Sequence, residues 1–187
     1  MQFRPDPYRV LVVSASAKLN TELELLLADG NFEPPVFATN LSQAKEESLR
    51  QSYDLVLINA PLPDGYGKDF ATRLNESMHC VVLLLEKDEV CLEYGRERTA
   101  EGIFSLPKPT NSVLLQQALN WMAAARERLR RSESRVEEEQ LLGRAKCLLM
   151  ERRSMSEQEA HRYIVKESMN HCVPRSETAR QILQENR

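Results

Sequence analysis

The chain has 187 residues, enough for one ordinary domain with an appendage or for two small domains. Its 25 Lys/Arg against 28 Asp/Glu leave a formal net charge of -3, so the chain as a whole carries no electrostatic signature of a polyanionic partner. Apolar runs such as Val81 to Leu85 are strand-length, far below the roughly 20 residues of a bilayer span, and none follows Arg4; neither a signal peptide nor a membrane anchor is expected, and the expected location is the cytoplasm.

Charge is unevenly placed. Residues 1–125 hold 11 Lys/Arg and 17 Asp/Glu, whereas residues 126–187 hold 14 and 11, so the basic excess lies in the C-terminal third. The four cysteines, Cys80, Cys91, Cys147 and Cys172, have neither the even framework of a disulfide-rich domain nor zinc-ligand spacing, and free thiols are expected.

In chain order, Arg9 to Val13 reads as a first strand and Lys18 to Leu27 as a helix, with Leu19, Leu23 and Leu26 at helical period. Val36 to Ala38 is a short second strand, and Ser42 to Gln51 a second helix with Ser42 as its expected cap. Leu55 to Ile58 is a continuous apolar run of the buried-strand kind, followed by a Pro/Gly-rich loop from Pro61 to Gly67. Val81 to Leu85 and Ile103 to Leu106 supply strands four and five, and a last helix starts at Asn111; the polar stretch Glu86 to Glu101 is a weakly patterned fourth helix. Five strands alternating with helices predict an α/β domain with a doubly wound parallel sheet, its functional edge at the C-terminal ends of the strands.

Beyond Asn111 the pattern changes. No proline occurs from Asn111 to Val173 and only one glycine, Gly143, so helix can continue for a long way. Leu115, Ala118, Met122, Ala125, Leu129, Ser132 and Val136 alternate steps of three and four between charged flanks, which predicts a coiled-coil seam with Leu115, Met122, Leu129 and Val136 at a dimer interface; the alternative is a single helix packed back on its own domain with a salt-bridged outer face. Three helical segments follow. The first runs to about Arg152, the second starts at Ser156 with Glu159 completing a capping box, and the third begins near Pro174.

The N-terminal half resembles the receiver domain of two-component response regulators. The likeness is carried by Tyr53-Asp54-Leu55-Val56-Leu57-Ile58-Asn59 with the following Leu62-Pro63-Asp64-Gly65-Tyr66-Gly67, and by Gly102-Ile103-Phe104-Ser105-Leu106-Pro107-Lys108-Pro109. The implied fold is a flavodoxin-like (βα)5 receiver-like domain over residues 8–122. The departures carry the chemistry. Where an active receiver holds paired carboxylates after the first strand, this chain has Ser14-Ala15; the phospho-acceptor position is Asn59, and the hydroxyl position of the fourth strand falls at Leu85. A carboxamide forms no acyl phosphate, and without carboxylates a hard divalent cation loses most of its attraction, so Lys108 alone does not rebuild the reaction. The implication is a pseudo-receiver. Asp54 and Asp64 read as solvated or locally hydrogen-bonded turn carboxylates, and Asn59 and Lys108 are expected to form a neutral structural contact, the alternative being that they sense some other ligand.

The C-terminal part resembles the ANTAR domain, a three-helix RNA-binding antiterminator module of regulators of amidase, nitrate-assimilation and ethanolamine-utilisation operons. Its signature is matched by Leu142-Gly143-Arg144-Ala145-Lys146-Cys147-Leu148-Leu149-Met150-Glu151, and its second helix by Met155-Ser156-Glu157-Gln158-Glu159-Ala160. Ser168-Met169-Asn170 and Ala179 with Ile182-Leu183 match later positions. The expected organisation is therefore a receiver-like domain at 8–122, a coiled-coil linker at 112–137 and an ANTAR domain at 138–187.

The resemblance implies a non-enzymatic homodimer that binds paired hairpins in a leader mRNA, stops an intrinsic terminator from forming and so acts indirectly on the RNA polymerase elongation complex. With no phospho-acceptor, it implies either control by a sequestering or ligand-sensing regulatory protein or constitutive activity, and no cofactor. Lys146, Arg144, Arg153, Arg175, Arg162 and Lys166 are the basic groups expected to meet RNA, Lys146 foremost because the signature places a lysine there. Tyr163, Tyr66 and Phe104 read as loop-stacking, interface or core residues. His161 and His171 lie ten residues apart, and His171 is adjacent to Cys172; neither arrangement is a metal-ligand set. Two other readings stand beside this one: a DNA-binding transcription regulator, since a dimeric helical output behind a receiver often reads the major groove, and a protein-interaction scaffold with no nucleic-acid ligand.

Overall fold

The computed structural model describes residues 6–87 and 103–185. The chain divides into two units, Met1–Leu129 and Arg130–Arg187. In the first, five parallel strands, β1 (Val10–Val13), β2 (Val36–Ala38), β3 (Leu55–Asn59), β4 (Val81–Lys87) and β5 (Ile103–Lys108), lie in the order β2-β1-β3-β4-β5. Helices α1 (Ala17–Ala28), α2 (Leu41–Arg50) and α3 (Lys68–Met78) connect them, and α4 (Ser112–Arg153) begins after β5. This is the flavodoxin-like receiver fold. The helix expected between β4 and β5 lies, from residue 88 on, outside the described residues.

The continuous apolar strands are divided between two faces by the period-two alternation of side chains. Leu11, Val13, Val56, Ile58, Val82 and Leu84 pack on one face with Phe70, Ala71 and Leu74 of α3. Val10, Val12, Leu55, Leu57, Leu83 and Leu85 pack on the other with Leu23 and Leu27 of α1. Parallel register sets Asn59 beside Leu85, and Leu85 beside Leu106, so these positions lie side by side across β3, β4 and β5. The loop after β3 requires glycine at position 67: its φ is +79°, and a Cβ there would lie 2.7 Å from Ile58 Cγ2.

Two expectations are corrected here. Asn40, not Ser42, caps α2, its side chain accepting from the Gln43 amide at 2.9 Å. The Leu41 and Ser42 amides and the Ser42 hydroxyl donate instead to Asp64, at 2.8, 3.0 and 3.1 Å. Those donors, the Leu41 amide first, hold the Asp64 carboxyl below the usual carboxylate range. The second correction concerns the heptad seam. Leu115 and Met122 are both 0% exposed and belong to the core under α4, with Ala118 and Leu119 beside them. Steps of three and four describe a ridge that docks on a sheet as well as one that pairs with another helix. Here the sheet takes it. Leu129 is partly buried against the same cluster, whereas Val136 is 49% exposed.

The second unit comprises α4 from Arg130 onward, α5 (Glu157–His171) and α6 (Arg175–Glu185). Its core is small: Ala145 and Leu149 from α4, Ala160 and Ile164 from α5, and Ala179 and Ile182 from α6. Each helix contributes one alanine at 0% exposure, and a side chain that small lets backbones approach closely. The predicted capping box opens α5: Glu159 N–H donates to Ser156 Oγ, and the Glu159 carboxylate accepts from the Ser156 amide at 2.8 Å. No described helix is long and apolar enough to cross a membrane.

Candidate nucleic-acid interface

Two places carry the residues singled out in the sequence. The first is the C-terminal edge of the parallel sheet. Ser14 is fully buried, its amide donating to the Ala38 carbonyl. Its hydroxyl oxygen accepts from the Ser16 amide at 3.1 Å and from Asn59 Nδ2 at 3.0 Å. Lys108 does not reach Asn59, as the sequence had suggested; its Nζ donates to the Ala60 carbonyl. Burial pushes the Lys108 ammonium below the ordinary lysine range. The Ala60 amide in turn donates to the Leu85 carbonyl at 2.9 Å, and the Leu85 side chain is buried. Apart from the Lys108 cation, neutral groups make these bonds. Ala15 is exposed and brings no oxygen ligand. Among the described residues no group of three or more His, Cys, Asp or Glu could hold a metal ion.

Asp54, expected to be a solvated or locally hydrogen-bonded turn carboxylate, is buried and bonded to residues distant in sequence. It accepts from the Arg9 amide at 3.0 Å and pairs with Arg126 Nε at 3.0 Å, the two side chains only 10% and 12% exposed.

The second place is the second unit, where α4 gives way to α5. Ser154, at φ +52°, ends α4 in the left-handed region, and the Ser156 cap starts α5 two residues later. This tight turn seats the Arg153 guanidinium over the Tyr163 ring, 4.9 Å from its centroid. Arg162 and Lys166, one helical turn apart on α5, line the same cleft of about 410 Å³, together with Met155, Glu159 and Tyr163.

A neighbouring cleft of about 570 Å³ is lined by Lys146, Glu157, Gln158, His161 and Arg162, so Arg162 borders both. In it Lys146 Nζ lies 2.6 Å from the Glu157 carboxylate. That hydrogen bond and charge hold the Glu157 carboxyl below its usual range. Lys146 is 26% exposed in its side chain, and its partner 68%.

Of the six basic residues predicted to meet RNA, four border these adjoining clefts: Lys146, Arg153, Arg162 and Lys166. Arg144 and Arg175 are exposed but line neither. From sequence, Tyr163 fits several roles, and Glu157 is one of four carboxylates, with Glu151, Glu159 and Glu167, available to neutralise the basic residues. The signal for Tyr163 was available: it stands four residues after Glu159 and three before Lys166, so all three share one side of α5. Which basic group Glu157 meets was not legible, because its partner Lys146 belongs to another helix eleven residues away.

The first unit is a receiver-type domain by its fold. It is similar to the signal receiver domain of an HD domain-containing protein from Pseudomonas fluorescens Pf-5, at 23% identity and a TM-score of 0.59 over 70% of this chain and 97% of that one. It is also similar to the chemotaxis response regulator CheY4 of Vibrio cholerae, at 20% identity, TM-score 0.52, with 62% and 98% covered. A two-component response regulator from Clostridium difficile gives 18%, 0.52, 63% and 96%. At such identities the likeness shows the fold alone. No curated protein matches the sequence. Residues 130–183 match the ANTAR domain family, so the chain joins a receiver-fold unit to an ANTAR domain.

Proposed function

We propose that this protein is a transcription antiterminator whose ANTAR domain binds paired hairpins in a leader transcript. Bound hairpins keep a downstream intrinsic terminator from forming, and the elongating polymerase reads into the genes beyond. The observation that carries this reading is the coincidence of the ANTAR match with a three-helix unit in which Lys146, Arg153, Arg162 and Lys166 border adjoining clefts. Arg and Lys grouped on one side of a small helical unit suit hairpin RNA, whose loop phosphates and unstacked bases are open to side chains. Arg144 and Arg175 would meet phosphate outside the clefts. The family relationship and the chemistry of the receiver edge both support a regulatory, non-enzymatic role.

Control would not run through phosphorylation. Asn59 offers no carboxylate to a phosphodonor, and its amide is engaged with Ser14. Self-association into a homodimer, and sequestration by a regulatory protein, are the remaining routes for a signal. With Leu115 and Met122 inside the core, pairing would use the exposed part of α4 beyond Leu129, where Val136 lies.

The test is a binding assay at several fixed salt concentrations against leader-derived paired hairpins, with loop-scrambled RNA and duplex DNA as competitors. The expected result is loop-dependent RNA binding that weakens as salt rises, with Lys146→Ala reducing both the affinity and the salt slope, the latter by about 1. Preference for duplex DNA would replace this reading with a DNA-binding regulator. Partner binding indifferent to nucleic acid and to Lys146 would replace it with a scaffold.

A further inference from the structure

Resting on the RNA-binding reading, we infer that the cleft where α4 meets α5 is a nucleobase site: one unpaired loop base stacks on the Arg153–Tyr163 pair, with Arg162 and Lys166 holding the flanking phosphates.

The lining separates this cleft from a simple phosphate cradle. Its lining includes an apolar and an aromatic side chain, Met155 and Tyr163, both packed against the small core of the unit. A ring anchored in that way is a rigid support for the guanidinium that lies over it, so the pair loses little freedom when a base settles against it. Arg153 lies over the ring at 4.9 Å, so two delocalised surfaces are already together before any ligand arrives. Bases splayed from hairpin loops are bound by stacking on aromatic rings and on guanidinium planes.

Glu159 also lines the cleft, and its carboxylate is fixed by two bonds to Ser156, from the amide at 2.8 Å and the hydroxyl at 2.7 Å. A fixed anion repels a phosphate but accepts from the amino or imino groups of a base edge. The cations complete the arrangement, because Arg162 and Lys166 border the cleft and Arg162 continues into the one that holds Lys146. A strand leaving the stacked base would therefore pass from one group of positive charges to the next.

Stacking and charge make different predictions for conservative changes. Arg153→Lys keeps the charge but removes the plane, Tyr163→Phe keeps the ring, and Tyr163→Leu keeps an apolar side chain in the core without the ring. The probe is a paired-hairpin RNA with randomised loops, selected on the full-length wild-type protein and then compared with a loop-scrambled control. Tyr163→Leu and Arg153→Lys should each weaken binding of the selected RNA about tenfold, while Tyr163→Phe stays within about twofold. 2-Aminopurine at the fixed loop position should lose fluorescence on binding the wild type and keep it with Tyr163→Leu. Far-ultraviolet circular dichroism confirms that each variant retains its helix.

Wild-type affinity in Tyr163→Leu, or an equal loss towards scrambled loops, would overturn the base site and leave RNA binding standing. Failure of the wild type to enrich any loop sequence would remove the RNA-binding reading and this site with it.

Discussion

The Asp54 carboxylate accepts from the amide of Arg9 at the entry to β1 and pairs with the guanidinium of Arg126 on α4. Removing one member of a buried pair strands the other charge away from water, which costs more than the pair itself contributes. Asp54→Ala should therefore lower stability by about 3 kcal/mol, read as a shift of the urea midpoint at unchanged slope. An effect below about 1 kcal/mol would mean that Arg126 is satisfied by solvent or by another partner. Nothing in the sequence announced this contact, because its partners are 72 residues apart and Arg126 sits in a run of mixed charge that reads as a solvated flank. Asn59 is the opposite case, since the expectation for it rests on residue identity alone. Asn59→Asp should fold, since the Ser14 hydroxyl can turn to donate to the new carboxylate, and should still take no phosphoryl group from a small phosphodonor with magnesium. A gain of one phosphoryl group in the intact mass would refute the argument that Ser14 and Ala15 leave the metal without ligands.

Among the elements, the strands were legible because unbroken Val, Leu and Ile runs have few other fates in a chain that alternates with helices. The α5 capping box was legible for a similarly local reason, since Ser156 and Glu159 are partners within one turn. Helix α4 shows where local reading ends. Its length followed from the absence of proline, but the destination of its apolar ridge did not, because the same spacing suits a sheet and a second helix. Gly143 lies inside this helix, and a Cβ added there would meet nothing within 4 Å. Gly143→Ala should consequently stabilise the protein by about 0.5–1 kcal/mol through the unfolded chain and helix propensity. Calorimetry gives the comparison, and a lowered melting temperature would show that the position needs glycine for a reason other than space.

For the molecule as a whole, the burial of Leu115 separates two properties that the heptad pattern had joined. Leu115→Ala opens a cavity in a fully buried site and should cost about 2–5 kcal/mol of stability with no effect on association state beyond unfolding. Val136→Asp places a charge at an exposed helical position. It should leave the monomer's melting unchanged and abolish any concentration-dependent dimer seen by sedimentation equilibrium. A dimer lost with neither change would place the pairing surface elsewhere. The receiver fold and the ANTAR domain were both readable from motifs, whereas the clefts that gather Lys146, Arg153 and Arg162 needed the turn between α4 and α5 to be placed.

The stretch of α4 that begins at Arg131 is helical but almost wholly exposed as far as Gln140, and with Arg130 and Arg135 it offers trypsin three cleavage points. A protease cuts only where several residues leave the helix together, so the rate of nicking there measures how often this segment melts. Among the described residues, limited digestion should cut first between residues 130 and 135, at the boundary of the two units. Anything that lies along the segment, whether a second copy or a sequestering protein, would then declare itself as a delay in the first cut.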